Sequence, residues 1–260
     1  MNLPFERIRP ANVVAGLLLS AFLALAVLWG WGLSDLPTKE ERDMKLPGDD
    51  LLAGDAKKAR IQGAVTINAP REKVWPYLAQ LGQRRAGFYS IGWLERLLTF
   101  HIYNNFQIVD EWQQMEKGDY VFYHQNGVGS EVQEVVPGEY FTMLSDSRRP
   151  STVQGSIAWV PPFGLKHFAW TWNFILLDNG DGTTRFINRT DASWEPFGGW
   201  RFAAVALILG SPSVFMCRHM MRTIKRCAEG KYQRPLIDRI LGFGAPMATG
   251  EGAVDVKAPA

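Results

Sequence analysis

Only two cysteines occur in the 260 residues, Cys217 and Cys227. They lie ten positions apart in a segment that reads as one helix, where a rise of about 1.5 Å per residue separates them by about 15 Å, too far to bridge. Cysteine usage therefore gives no disulfide framework, no metal spacing and no compartment. Histidine is equally sparse. His101, His124, His167 and His219 are scattered, no two spaced to share a helical face as metal ligands, and no nucleophile motif accompanies them. No metal and no cofactor is expected, and an enzyme is the less favoured reading. A net charge of +2 without a basic stripe gives no field for nucleic acid or an acidic substrate. The glycines of "GVGSE" and "NGDGTT" open no helix, as a phosphate cradle must, and read as turns.

What is present is apolar. With 47% hydrophobic and 21% charged residues, the chain is an ordinary folded one. Residues 13–33, "VVAGLLLSAFLALAVLWGWGL", carry no charge. At about 1.5 Å each they reach across a hydrocarbon layer of roughly 30 Å. The run exceeds a signal-peptide core and ends in Trp29-Gly30-Trp31 where a cleavage site would need small residues, so an uncleaved single-pass anchor in the plasma (inner) membrane is expected. The arginine and lysine counts on its two sides nearly tie. The short tail with Arg7 and Arg9 is the harder side to translocate, which puts the folded domain on the extracytoplasmic side. The organisation expected is a tail at 1–12, the anchor at 13–33, a polar linker at 34–60, a folded domain at 61–230 and a mobile tail at 231–260.

Within the domain, "IQGAVTINA" alternates as a half-buried strand. Asn68, Pro70 and Glu72 then signal a helix start, with Val74, Leu78 and Leu81 as its buried stripe and Pro76 as a kink or a reason for a later start. "RAGFYSIGWLERL" follows, carrying Phe88, Tyr89 and Trp93 and almost no acid-base chemistry. From Asp119 six runs read as an antiparallel meander: "DYVFYH", "SEVQEVVP", "EYFTMLS", "GSIAWVP", "FAWTWNFILLD" and "TTRFINRTDASW". Phe168, Trp170, Trp172 and Phe174 alternate and so share one sheet face. Residues 197–229 read as helical with an interruption at Pro212, and Met216, Met220, Ile224 and Cys227 fall near one stripe.

Taken together, "INAP", "VWPYLAQLGQRRAGFYSIGWLERL", "VDEWQQMEKGDYV", "VVPGEYFTML", "WNFILL", "GTTRFINR" and "MCRHMMRTIKRCAE" resemble the START-like, or SRPBCC, superfamily in its bacterial, polyketide-cyclase-like branch. The resemblance implies an α+β helix-grip fold, a curved antiparallel sheet wrapped around a long C-terminal helix, here preceded by one transmembrane helix. It also implies an apolar cavity for lipids, sterols, polyketides or similar molecules, with cyclisation or dehydration catalysed in a minority of members.

The expected site is accordingly a wall of aromatics and methionines: Phe88, Tyr89, Trp93, Trp170, Trp172, Phe174, Met216 and Met220. Arg189, inside the last strand, is a candidate anchor for a ligand carboxylate. The partners expected are a hydrophobic small molecule, the bilayer through residues 13–33 and, if the chain is an accessory subunit of a complex, other membrane proteins. A cyclase or aromatase is the third reading.

Overall fold

The computed structural model describes residues 10–32, 35–149 and 151–236. Most of both expected tails lies outside the described residues. Six strands make one antiparallel sheet in the order β1-β6-β5-β4-β3-β2: β1 (Ala59–Ile67), β2 (Tyr120–Phe122), β3 (Gly129–Val136), β4 (Tyr140–Asp146), β5 (His167–Asp178) and β6 (Thr184–Glu195). The helices are α1 (Pro10–Gly32), α2 (Lys39–Asp43), α3 (Arg71–Ala79), α4 (Gly92–Leu97), α5 (Gly199–Ala204) and α6 (Ser211–Ala228). The sheet curves around α6, and its inner side chains share a core with α3 and α6, an α+β helix-grip arrangement. Gly63 on β1 sets the closeness of that grip, because a Cβ there would stand 3.2 Å from the Met221 sulfur.

Three local expectations are corrected. "GSIAWVP" is not a strand of the sheet; it touches it through an isolated bridge from Ile157 to Val128 and a 2.9 Å bond from the Trp159 N–H to Ser145 Oγ. Pro161 and Pro162 follow without N–H donors, so no ladder can continue. Pro76 does not break α3, for the carbonyl its missing donor would serve belongs to Glu72, an exposed residue open to water. The helix starts after Pro70 rather than Asn68, whose N–H is bound by Glu229. Pro212 stands as expected at a restart, in the first turn of α6, which begins at Ser211. α5 and α6 join through a π-helical turn, Val205–Gly210, with right-handed backbone at both junctions, and the wide turn falls just before the proline that cannot donate.

The expected linker is the largest departure. Its described residues, from Asp35 on, lie as a strap across the outer face of the sheet. Leu46 packs with Ala64, Ile175 and Ile187, and Leu52 with Leu144 and Ala169. Gly48 presses on the Asn173 side chain, with positive φ and room for no Cβ. The strap's acids meet arginines of the sheet: Glu41 takes a fork from Arg185 at 2.6 and 3.0 Å, and Asp55 one from Arg148 at 2.7 and 3.0 Å. Asp49 binds both Arg60 and Arg189. At the strap's start Asp35 bonds Arg222 of α6 and pairs with Arg218, and these guanidinium groups hold its carboxyl below the usual range.

α1 ends beside α6, where the Trp31 ring lies 4.9 Å from that of Phe215 and the Arg218 guanidinium sits 3.6 Å over the indole. Along α1, Val13, Leu17, Leu18, Phe22 and Val27 are 49–69% exposed.

Candidate functional site

The inner face of β5 passes from a filled core to a hollow one along its length. At the filled end Phe174 is fully buried, stacked on Phe141 at 4.7 Å and facing Phe186 at 6.2 Å, beneath Val74 and Leu78 of α3. Two and four residues earlier, Trp172 and Trp170 stack on each other at 5.7 Å, where no residue of α3 joins the cavity wall; Phe88 and Tyr123 close on the pair at 5.6–5.7 Å. Between these rings and the Met216, Cys217 and Met220 edge of α6 lies a cavity of about 350 Å³. That volume suits a small apolar ligand. Leu98 of the turn after α4 and Ile208 of the π-helical turn line it while being 55% and 54% exposed, and so form its rim.

Of the residues expected to make the site, Phe88, Trp170, Trp172, Met216 and Met220 line this cavity. Phe174 does not, being spent on the solid core. Tyr89 points away to a smaller polar recess of about 40 Å³, its hydroxyl bound by Gln80 at 2.7 Å. Trp93 is half-buried and absent from the wall. Arg189 is corrected outright as a ligand anchor: it projects from the outer face, where its donors reach Gln62 Oε1, Asp49 Oδ2 and the carbonyls of Met44 and Glu41 at 2.6–3.0 Å. Strand parity decides this, because Arg189 lies an odd number of positions from the inward Phe186 and Trp194.

The cavity also holds an acid that the sequence reading passed over. Glu95 of α4 lines it, 2% exposed, with Oε1 bound to the Ser90 hydroxyl and Oε2 without a partner. Burial pushes its carboxyl up to about 7, against the pull of Ser90 and the more distant Arg96 charge. The signal was present in "GWLERLL", where Glu95 stands three before Leu98 and four after Ile91, on an apolar helical stripe. Other polar atoms of the wall are also unmatched. Among the described residues the Tyr123 hydroxyl and the Trp170 and Trp172 indole N–H groups form no hydrogen bond; Ser130 and Cys217 lie near Tyr123 and Trp172 but at geometry that makes none.

No known protein family and no curated protein matches the chain. Solved structures do. A conserved protein from Geobacillus kaustophilus matches at 12% identity and a TM-score of 0.35, covering 67% of this chain and 98% of its own. Norcoclaurine synthase from Thalictrum flavum, in complex with dopamine and hydroxybenzaldehyde, matches at 11% and 0.38, covering 74% and 99%. The Zhui aromatase/cyclase from Streptomyces sp. R1128 matches at 12% and 0.32, covering 65% and 95%.

Proposed function

We propose that this chain is a membrane-tethered protein that binds or transfers a hydrophobic small molecule. The observation that carries the reading is the cavity itself, hollow where β5 presents Trp170 and Trp172 and walled almost wholly by apolar side chains. Leaving large aromatics around an empty apolar space forgoes dispersion contacts, a cost that an occupant removes.

α1 supports the tether. Its 23 residues extend about 35 Å at about 1.5 Å per residue, enough for a bilayer core of roughly 30 Å, and although Trp31 packs on α6, Val13, Leu17, Leu18, Phe22 and Val27 stay exposed. The stretch Gly199–Ala228, with a hydropathy of 1.5, has the length and composition of a span as well. Its second half, however, is the gripped helix, and Lys225 is bonded there to Glu229 and the Thr66 carbonyl. We therefore assign the crossing to α1 and leave the exposed Trp200, Phe202 and Ile208 to the bilayer surface. The rim residue Ile208 then brings the cavity mouth to the lipid, from which an apolar ligand enters without crossing water.

Native mass spectrometry with organic extraction, on the full chain purified from its native host, tests this. A stoichiometric apolar molecule is expected. A chain that arrives empty and takes up no member of a lipid and polyketide panel overturns the reading. A second expectation concerns space: Met216→Trp and Cys217→Phe fill the hollow and reduce ligand uptake at least tenfold. Because the added groups enter a void rather than a packed core, the cost in stability stays below about 1.5 kcal/mol. Uptake assays paired with thermal melts read both effects.

A further inference from the structure

Among the described residues lining the cavity, Glu95 alone brings a carboxyl group. Buried acids usually meet a cation or a set of N–H donors. Glu95 meets neither: its one hydrogen-bond partner is the Ser90 hydroxyl, and it takes part in no ion pair among the described residues. Arg96, its sequence neighbour, is not part of the cavity wall; it donates to the Ile102 carbonyl at 3.1 Å and lies over the Tyr103 ring.

Ser90 is itself fixed. Its carbonyl accepts from Asn104 Nδ2 at 3.0 Å, and Asn104 Oδ1 takes the N–H groups of Phe88 and Tyr89. The loop that carries the hydroxyl is thus clamped before any ligand arrives, and with it Glu95 Oε1. Only Oε2 is left, in a cavity whose surroundings offer it nothing. Unmatched polar atoms this deeply buried are costly, and a matching group on a ligand recovers the loss.

We propose that the Ser90–Glu95 pair is the polar anchor of the cavity, and that its ligand is an elongated apolar molecule bearing a hydrogen-bond donor, a hydroxyl or an amine, that binds Glu95 Oε2. The proposal rests on the hydrophobic-ligand reading and narrows it. With Glu95 ionised, above about pH 7, esters, alkanes and ethers of the same length bring no donor and leave Oε2 unmatched, so the site selects against them; once protonated, Oε2 donates instead and an ester carbonyl is accepted. The indole N–H of Trp170 faces the complementary need, an acceptor, and a hydroxyl supplies both roles.

The test uses the full chain in amphipol at pH 8.5, above the value of about 7 to which burial raises Glu95, and four probes of one length: 1-dodecanol, dodecylamine, dodecane and methyl undecanoate. Binding is read by native mass spectrometry and by quenching of tryptophan fluorescence. The wild type is expected to bind the alcohol and the amine at least tenfold more tightly than the alkane and the ester. Glu95→Leu, which removes a buried acid and so spares the fold, is expected to abolish that preference while keeping alkane binding. Ser90→Ala is expected to weaken alcohol and amine binding severalfold without changing alkane binding. Equal binding of all four probes by the wild type overturns the anchor and leaves the hydrophobic cavity standing, as does a preference that survives Glu95→Leu. Failure of the wild type to bind any probe, the alkane included, overturns both.

Discussion

Replacing Arg189 by methionine is expected to destabilise the protein by about 3–5 kcal/mol, the cost of leaving a buried charge and its acceptors unmatched. Arg189 is fully buried, and its guanidinium simultaneously holds Gln62, Asp49 and two strap carbonyls. Methionine fills much of the same volume but returns nothing to those oxygens. Asp49 suffers most, although the Leu46 N–H and Arg60 still reach it. For a chain of this size, where roughly 2–4 °C accompanies each kcal/mol, the melting temperature falls by about 10 °C. Lysine does not rescue, since one ammonium cannot copy a fork that reaches four acceptors. A double-mutant cycle with Asp49→Asn is expected to show coupling above 1 kcal/mol by the usual magnitude for partners in contact, about 0.5–3 kcal/mol. A loss for Arg189→Met below about 1 kcal/mol, the centre of the range for single substitutions, would show that Arg189 is not what holds the strap, leaving its leucines and its other ion pairs.

The second large effect is a pH dependence. Glu95 has its folded-state pKa raised from 4.5 to about 7 by burial. Between those values the folded state binds a proton that the unfolded state does not, so stability falls as pH rises through this window and levels off above it. The relative stabilisation is complete below about 4.5 and lost above about 7. At about 1.36 kcal/mol per pKa unit the span amounts to about 3 kcal/mol. Glu95→Gln removes the titration. The variant is therefore expected to gain on the wild type from about pH 5 to about pH 7 in denaturant melts and to hold that gain at pH 8, with other groups cancelling in the difference. A difference that stays flat across this range would mean that Glu95 is ionised and solvated in the folded state, and its place in the cavity wall would have to be revised.

The alternation Phe168, Trp170, Trp172, Phe174 was legible as one aromatic face, and β5 presents it inward as expected. Where that face is solid and where hollow was not legible, because Phe141 and α3 arrive from distant sequence to fill one end only. The strap was misread for a related reason. Glu41, Asp49 and Asp55 look like solvated linker charges until their arginines appear, 144, 140 and 93 positions away. Local composition carries no sign of such partners. Glu95 was missed despite a local signal, an acid on the apolar stripe of a six-residue helix too short for periodicity to stand out.

The stapled strap also bears on mechanics. Only positions 33 and 34 separate α1 from Asp35, which is already tied to α6, and from there the chain is fastened to the sheet at Glu41, Asp49 and Asp55. On the proposed membrane reading, the domain therefore has no leash. It cannot swing out to ferry cargo across an aqueous gap, as a domain on a free 27-residue tether would. On that same reading its opening stays close to the lipid, and a handover happens at the bilayer surface, with the recipient coming to it.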